Sequence, residues 1–234
     1  MPNDTNLKKA ASSPVGRKIL TGVTGLGLTL FVLLHMIGNL SFFAADENTY
    51  NAYSHKLISL GPLLWAVEIG LLAFVVVHIV IGTSIYLRKR RARPVDYAEY
   101  ETAGGPSKQS LASRSMIVTG VVLGVFLVIH VISFKYGPGM AEGYVTTLHG
   151  EEIRDLRRLL MEKFQKPLYA FGYPAVMILL GVHLRHGIWS AVQSLAAMKP
   201  TWSPVVYSAS AVIGALIAVG FLVLPLYIYF GGGS

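Results

Sequence analysis

Residues 63–87 read LLWAVEIGLLAFVVVHIVIGTSIYL, a run with one carboxylate, one imidazole and neither Lys nor Arg, closed by the basic sequence RKRR at 88–91. About 20 apolar residues in a helix cross the hydrocarbon core of a bilayer, so this stretch predicts a membrane span with a charged stop. Runs of comparable length lie at about 19–43, 115–135, 168–196 and 205–230. Five spans take up more than half of the 234 residues, and no soluble catalytic domain fits in the remainder.

Composition points the same way. Hydrophobic residues make up 53% of the chain and charged ones 14%, against about 25% charged in soluble domains, and the mean hydropathy is +0.54. The net charge of +8 would suit nucleic acid in a polar chain; here it reads as the positive-inside bias of membrane proteins. With no cysteine, disulfides, thiolate-held iron–sulfur clusters and covalent c-type haem are excluded. Any metal must be held by His, Met or carboxylates.

Residues 1–18 are polar, with Lys8 and Lys9 and no apolar core, and read as a cytoplasmic N-terminal segment rather than a cleavable signal peptide. The N-terminus, the 88–114 connection and the 197–204 turn carry twelve Lys and Arg; Lys56, Lys135 and the 136–167 connection carry seven, five of them among five acids. This asymmetry places the N-terminus in the cytoplasm and, after five spans, the C-terminus outside. GlyGlyGlySer at 231–234 has the composition of a linker and is left out of the fold argument. The Pro- and Gly-containing 89–113 loop is expected to lie open to a soluble partner. In Glu151–Gln165, Ile153, Leu156, Leu160 and Phe164 recur at helical spacing and predict a short amphipathic helix at the outer interface. A weak internal similarity pairs Arg17–Gly22 with Arg114–Gly120, and HxxxG occurs at His78–Gly82 and again at His183–Gly187.

Of seven histidines, His55 and His149 fall in predicted outer loops, while His35, His78, His130, His183 and His186 sit inside spans. Ionisable groups within a bilayer are costly and are functional candidates by default. His35, His78, His130 and His183 each stand about 24–26 Å from the start of their helix. Because successive spans run in opposite directions, His35 and His130 share an outer level and His78 and His183 an inner one, roughly 15–20 Å apart.

Two His at one level on different helices are what a bis-histidine b-type haem requires. Gly38, Gly82, Ser133 and Gly187 follow the four His by three or four residues and would leave room for a porphyrin. His183, which repeats the spacing of His78, is preferred to His186 as ligand. His186 and Arg185 are left for a propionate, a lipid phosphate or an inner quinone pocket. Arg17, Lys18, Arg88 and Arg114 stand at the inner ends of the four helices, where they would face propionates or that pocket.

Glu68 is the one acid within a span, about 15 Å outward of His78. A desolvated carboxyl there suits proton exchange with a quinone; the structural alternative is a hydrogen bond to a rim residue such as Asn39. Lys135, Tyr136, Tyr169 and Tyr173 are weaker candidates near the same level. The expected fold is all-α and integral to the membrane, a dihaem four-helix bundle of the first four spans with the fifth peripheral, over residues 19–230.

FVLLHMIGNLSFF (31–43), VVVHIVIGTSIYLRKR (75–90), SRSMIVTG (113–120), VFLVIHVISF (125–134) and GVHLRHGIWSAVQSL (181–195) resemble the cytochrome b558 membrane-anchor subunit of dihaem succinate:quinone oxidoreductases. The resemblance covers residues 15–198. It implies two haem b groups, the distal one on His35 and His130 and the proximal one on His78 and His183, and an acid such as Glu68 in quinol proton chemistry. It further implies a quinone, menaquinone in the first instance, and a cytoplasmic flavoprotein subunit with FAD interconverting succinate and fumarate. An iron–sulfur subunit would dock beneath the anchor in the prokaryotic inner membrane, and the whole complex II would work as a trimer in the respiratory chain and tricarboxylic acid cycle. The anchor itself has no succinate-oxidising site. The alternatives are the anchor of a quinol:fumarate reductase, another dihaem cytochrome b, or a haem-free transporter or scaffold.

Overall fold

Proline sets where three of the long helices begin. The first, α1 (Pro14–Leu40), starts on Pro14 after Ser13, whose side chain accepts from the Gly16 N–H at 3.0 Å. The third, α3 (Pro62–Arg91), and the sixth, α6 (Pro167–Ser194), also have Pro at the first position, where its missing N–H costs nothing. Gly61, at φ +53°, supplies the reversal before α3, a conformation that only glycine adopts freely. The other helices are α2 (Thr49–Ile58), α4 (Leu111–His130), α5 (Leu156–Phe164) and α7 (Ser203–Phe230). This computed structural model describes residues 13–92, 111–195 and 199–231. The expectations for residues 1–12, most of the 89–113 loop and 232–234 lie outside the described residues.

Five helices are long and apolar enough to cross a membrane: Pro14–Phe43, Pro62–Arg91, Ser115–Lys135, Pro167–Ser194 and Ser203–Phe230. The chain is therefore a multi-pass membrane protein. α3 buries none of its residues and is apolar all round, as a lipid-facing helix is.

α6 is the hub, packed against α1, α4 and α7; α3 leans on α1 and meets α4 only sparsely. The four His-bearing helices thus run in the spatial order α3, α1, α6, α4 around a common space. α7 is less peripheral than the sequence suggested. It lies along α6, touches α1, and carries Phe221 to within 6.0 Å of the His35 ring. The reason is backbone proximity: a methyl group placed at Gly214 would stand 2.7 Å from the Gly181 carbonyl oxygen, and one at Gly181 would stand 3.0 Å from the Gly214 oxygen. Small residues let membrane helices approach this closely. Gly214→Val is expected to cost about 1–3 kcal/mol by overpacking, read as a lowered Tm in detergent. Gly70→Ala, at a position open to its surroundings, should leave Tm unchanged.

One end of the bundle carries the basic residues of α1 and α3; the other is capped by the connections. The mostly helical fold agrees with the all-α expectation, but the amphipathic helix expected over Glu151–Gln165 needs one correction there. Residues 151–154 are not helical but form β2 (Glu151–Arg154), antiparallel to β1 (Val145–Leu148), with Val145 opposite Arg154 and Leu148 opposite Glu151. His149 (φ 51°) and Gly150 (φ 87°) make the two-residue turn, the geometry that matches strand twist. Asp155 then caps α5 by accepting from the Arg158 N–H at 2.9 Å, so the amphipathic helix starts at Leu156, five residues after its expected start at Glu151, and Ile153, 2% exposed, belongs to the strand.

The cap is tied to the bundle by charge-assisted contacts. Arg157 donates to the Phe42 carbonyl at 3.1 Å and lies over the Phe42 ring. Asn51 donates to Asp155 and accepts from the Arg157 N–H, each at 2.9 Å. Hydrogen bonds from the Tyr144 hydroxyl and from Arg158 hold the Glu162 carboxyl below the usual carboxylate range. Arg154 spreads its guanidinium over the carbonyls of Phe134, Lys135, Gly137 and Pro138. α4 passes directly from His130 into a π-helical turn, Val131–Lys135, which the Tyr136 N–H closes onto the Val131 carbonyl at 3.1 Å.

Candidate cofactor site

The four helices border a cavity of about 3060 Å³ that is partly open to the surroundings, running from Lys18, Lys89 and Arg90 at the basic end to Glu68 and Lys135 at the capped end. Pockets for single small ligands span roughly 300–1,000 Å³, so this space suits large or multiple occupants. His35, His78, His130, His183 and His186 all line it.

The imidazoles meet in the pairs that their depths predicted. His35 on α1 and His130 on α4 have ring centroids 5.7 Å apart at 84°. His78 on α3 and His183 on α6 stand 6.3 Å apart at 65°. Two imidazoles axial on one metal, each with a nitrogen about 2 Å from it, place their centroids roughly 6 Å apart. Among the described residues no three or more His, Cys, Asp or Glu converge as a chelating cluster; the donors come in twos, on opposite walls.

The two layers are built differently. At the basic-end pair, Thr24 Oγ1 lies 3.3 Å from His78 Nδ1 and Thr119 Oγ1 lies 3.0 Å from His183 Nδ1. A methyl at Gly25 would stand 3.1 Å from His78 Cε1, and one at Gly120 would stand 3.6 Å from His183 Cε1. At the capped-end pair the rings are packed by aromatics: Phe31 stacks on His35 at 5.5 Å and Phe126 on His130 at 5.8 Å. Phe134 and Tyr173 add further contacts to His130, whose Nδ1 is buried without a protein partner.

These contacts expose a repeat that the sequence reading aligned wrongly. TGxxLxxFxxxH occurs at 24–35 and again at 119–130. Thr, Leu, Phe and His in it fall at i, i+4, i+7 and i+11, one face of a helix. Matching Arg17 with Arg114 shifts the two copies by two residues and hides them. From each Thr, level with one pair, to each His of the other pair is eleven residues, or about 16 Å along the helix.

The expected porphyrin clearances divide between the layers. Gly82 and Gly187 line the cavity with nothing within 4 Å of a methyl placed there. Gly38 instead packs against the Tyr53 ring, and Ser133 is buried with its hydroxyl 3.1 Å from that of Tyr169. Both serve helix packing.

The basic end is also rearranged. Lys18, Lys89, Arg90 and His186 line the cavity, whereas Arg17 ties α1 to α3 by donating to Ser84 at 2.9 Å and Arg88 points to the exposed surface. The side chain of Arg114 lies outside the described residues. Arg185 turns away from the cavity and donates to the Tyr207 hydroxyl on α7 at 2.6 Å. The residues that sequence reasoning missed here, Lys89 and Arg90, sit within the basic run that it read as an orientation signal.

At the capped end Glu68 is ion-paired to Lys135 and about one third exposed, which corrects the expectation of a desolvated carboxyl standing alone. Asn39 is not its partner; it donates to the His35 carbonyl at 2.8 Å. Tyr136 is exposed, and Tyr169 stacks on Tyr173. No family model, curated protein or solved structure matches the chain.

Proposed function

We propose that the protein is a dihaem cytochrome b, the membrane anchor of a succinate:quinone oxidoreductase, carrying electrons between a cytoplasmic iron–sulfur subunit and a membrane quinone. The carrying observation is that four imidazoles from four helices meet as two cross-bundle pairs, two layers deep, within one cavity. The residues fit haem b by donor chemistry, by the spacing of each pair, and by the open flanks at Gly82 and Gly187. Haem held by two imidazoles supplies one-electron transfer and leaves no iron position for oxygen.

His78 and His183 would hold the proximal group and His35 and His130 the distal one. Phe31 and Phe126 stack on the distal rings from their own helices and would help to orient them. Lys18, Lys89 and Arg90 offer positive charge to propionates at the basic end. Glu68 and Lys135, a charged pair at the opposite mouth, would exchange protons with the quinone. The basic end would face the cytoplasm and receive the iron–sulfur subunit and, through it, the FAD flavoprotein.

The purified protein is expected to show two b-type haems per chain in a reduced-minus-oxidised spectrum, and a succinate-oxidising flavoprotein should copurify. Absence of haem would overturn the reading in favour of a transporter or scaffold. Two haems with a molybdenum or nickel subunit would keep the cytochrome and reject the succinate partner.

A further inference from the structure

We propose that Thr24 and Thr119 are positioning residues that fix the ring tautomer of His78 and His183 and so aim the Nε2 lone pairs of both rings at one shared metal. The proposal rests on the dihaem reading and adds to it the residues that prepare the proximal ligands.

Each Thr hydroxyl has a single hydrogen to donate. Thr24 and Thr119 are 5% and 3% exposed, so their hydroxyls are satisfied by protein. Thr24 Oγ1 is 2.7 Å from the Leu20 carbonyl oxygen, and Thr119 Oγ1 is 3.1 Å from that of Ser115, the bond that a helical Thr makes back to the preceding turn. A carbonyl only accepts, and each hydroxyl has two such carbonyls within reach, Leu20 and Thr21 for Thr24 and Ser115 and Met116 for Thr119; with its one hydrogen given to them, as the proposal has it, its lone pairs are left for its other neighbour. That neighbour is Nδ1 of His78 or of His183, which in this arrangement carries the proton. A neutral imidazole bears one N–H, so Nε2 is left as the acceptor available to a metal.

Two further observations point the same way. Both Thr occupy the first position of TGxxLxxFxxxH, so the same device serves each member of the pair from within its own half of the chain, Thr24 for His78 and Thr119 for His183. The glycine after Thr24 lets the His78 ring come close, since a methyl there would stand 3.1 Å from Cε1; at Gly120 a methyl would make ordinary contact with His183 Cε1 at 3.6 Å. The capped-end pair lacks this arrangement at His130, whose Nδ1 has no protein partner.

Donation from Nδ1–H to an acceptor raises the basicity of a ligating imidazole and favours the oxidised metal. The Thr21 carbonyl also faces His78, which makes Thr119 the cleaner site to test. Thr119→Val keeps the shape and removes the acceptor; Thr119→Ser restores it. Redox titration of the full chain with its haems should show the potential of one haem raised in Thr119→Val, the other unmoved, and the shift reversed in Thr119→Ser. The expected rise is roughly tenfold in the reduced-to-oxidised ratio, or about 59 mV for one electron. Loss of that haem in the Val variant with retention in the Ser variant supports the assignment equally. Two bound haems with unchanged potentials in Thr119→Val and Thr24→Val, or equal loss in the Val and Ser variants, would overturn it. Wild-type protein without haem would overturn the dihaem reading instead, and the proposal with it.

Discussion

Replacing His183 by Ala should lower the haem content from two per chain to one, and His78→Ala should lose the same redox component. The rings face one another across the bundle at 6.3 Å from α6 and α3, so on the dihaem reading they would hold one haem between them and either substitution would remove one of its ligands. His35→Ala and His130→Ala, whose rings meet at 5.7 Å, should lose the other component. Haem-to-protein ratios and a redox titration of the four variants would distinguish this pairing from any other. His186→Ala should retain both haems, since His183 is the ring that meets His78. If His186→Ala removes a haem that His183→Ala spares, the assignment on α6 is wrong. If His183→Ala and His35→Ala remove the same component, the pairing is wrong.

Replacing Arg154 should be the most damaging single change outside the spans. Its guanidinium satisfies the carbonyls of Phe134, Lys135, Gly137 and Pro138 at 2.8–3.3 Å, at the end of a helix whose last carbonyls have no intrahelical donor. Hydrogen bonds to a charged group contribute about 1.5–3 kcal/mol each, and several are lost together, so Arg154→Met is expected to cost about 3 kcal/mol. At roughly 2–4 °C per kcal/mol for a chain of this size, Tm in detergent should fall by about 6–12 °C. Arg154→Lys, which keeps the charge but not the planar fork, should recover part of that loss. Equal stability of the Met variant and wild type would show that the fork is dispensable.

The spans and the His pairs were legible because each is written in a local signal: apolar run length, and the depth of a polar residue within that run. The spans came out within a few residues of their helical bounds. Glu151–Arg154 was misread because its single apolar position, Ile153, fits a strand as well as a helix; only pairing with Val145–Leu148 decides between them. Lys135 ranked among the weaker candidates, and its ion pair with Glu68 joins residues 67 apart in the chain. The supporting Thr residues were missed for a different reason. TGxxLxxFxxxH is present twice in the sequence, but basic residues at helix entrances drew the alignment two positions out of step. Arg17 and Arg185 show the converse error, since a charge near a site need not point into it: one bonds Ser84 and the other Tyr207.

The π-helical turn after His130 acts as a phase shifter between the two copies of this pattern. An extra residue in a helical turn re-aims everything beyond it by about 100° at 3.6 residues per turn. Up to His35 and His130 the copies superimpose in spacing; beyond them α1 continues in α-helical phase to Leu40, while α4 slips through Val131–Lys135. That slip falls on the segment ending in Lys135, the partner of Glu68. A chain that repeats a twelve-residue pattern on two of its helices thereby acquires one charged mouth on one side of the bundle, and the likeness of the two helices stops where directional chemistry would begin.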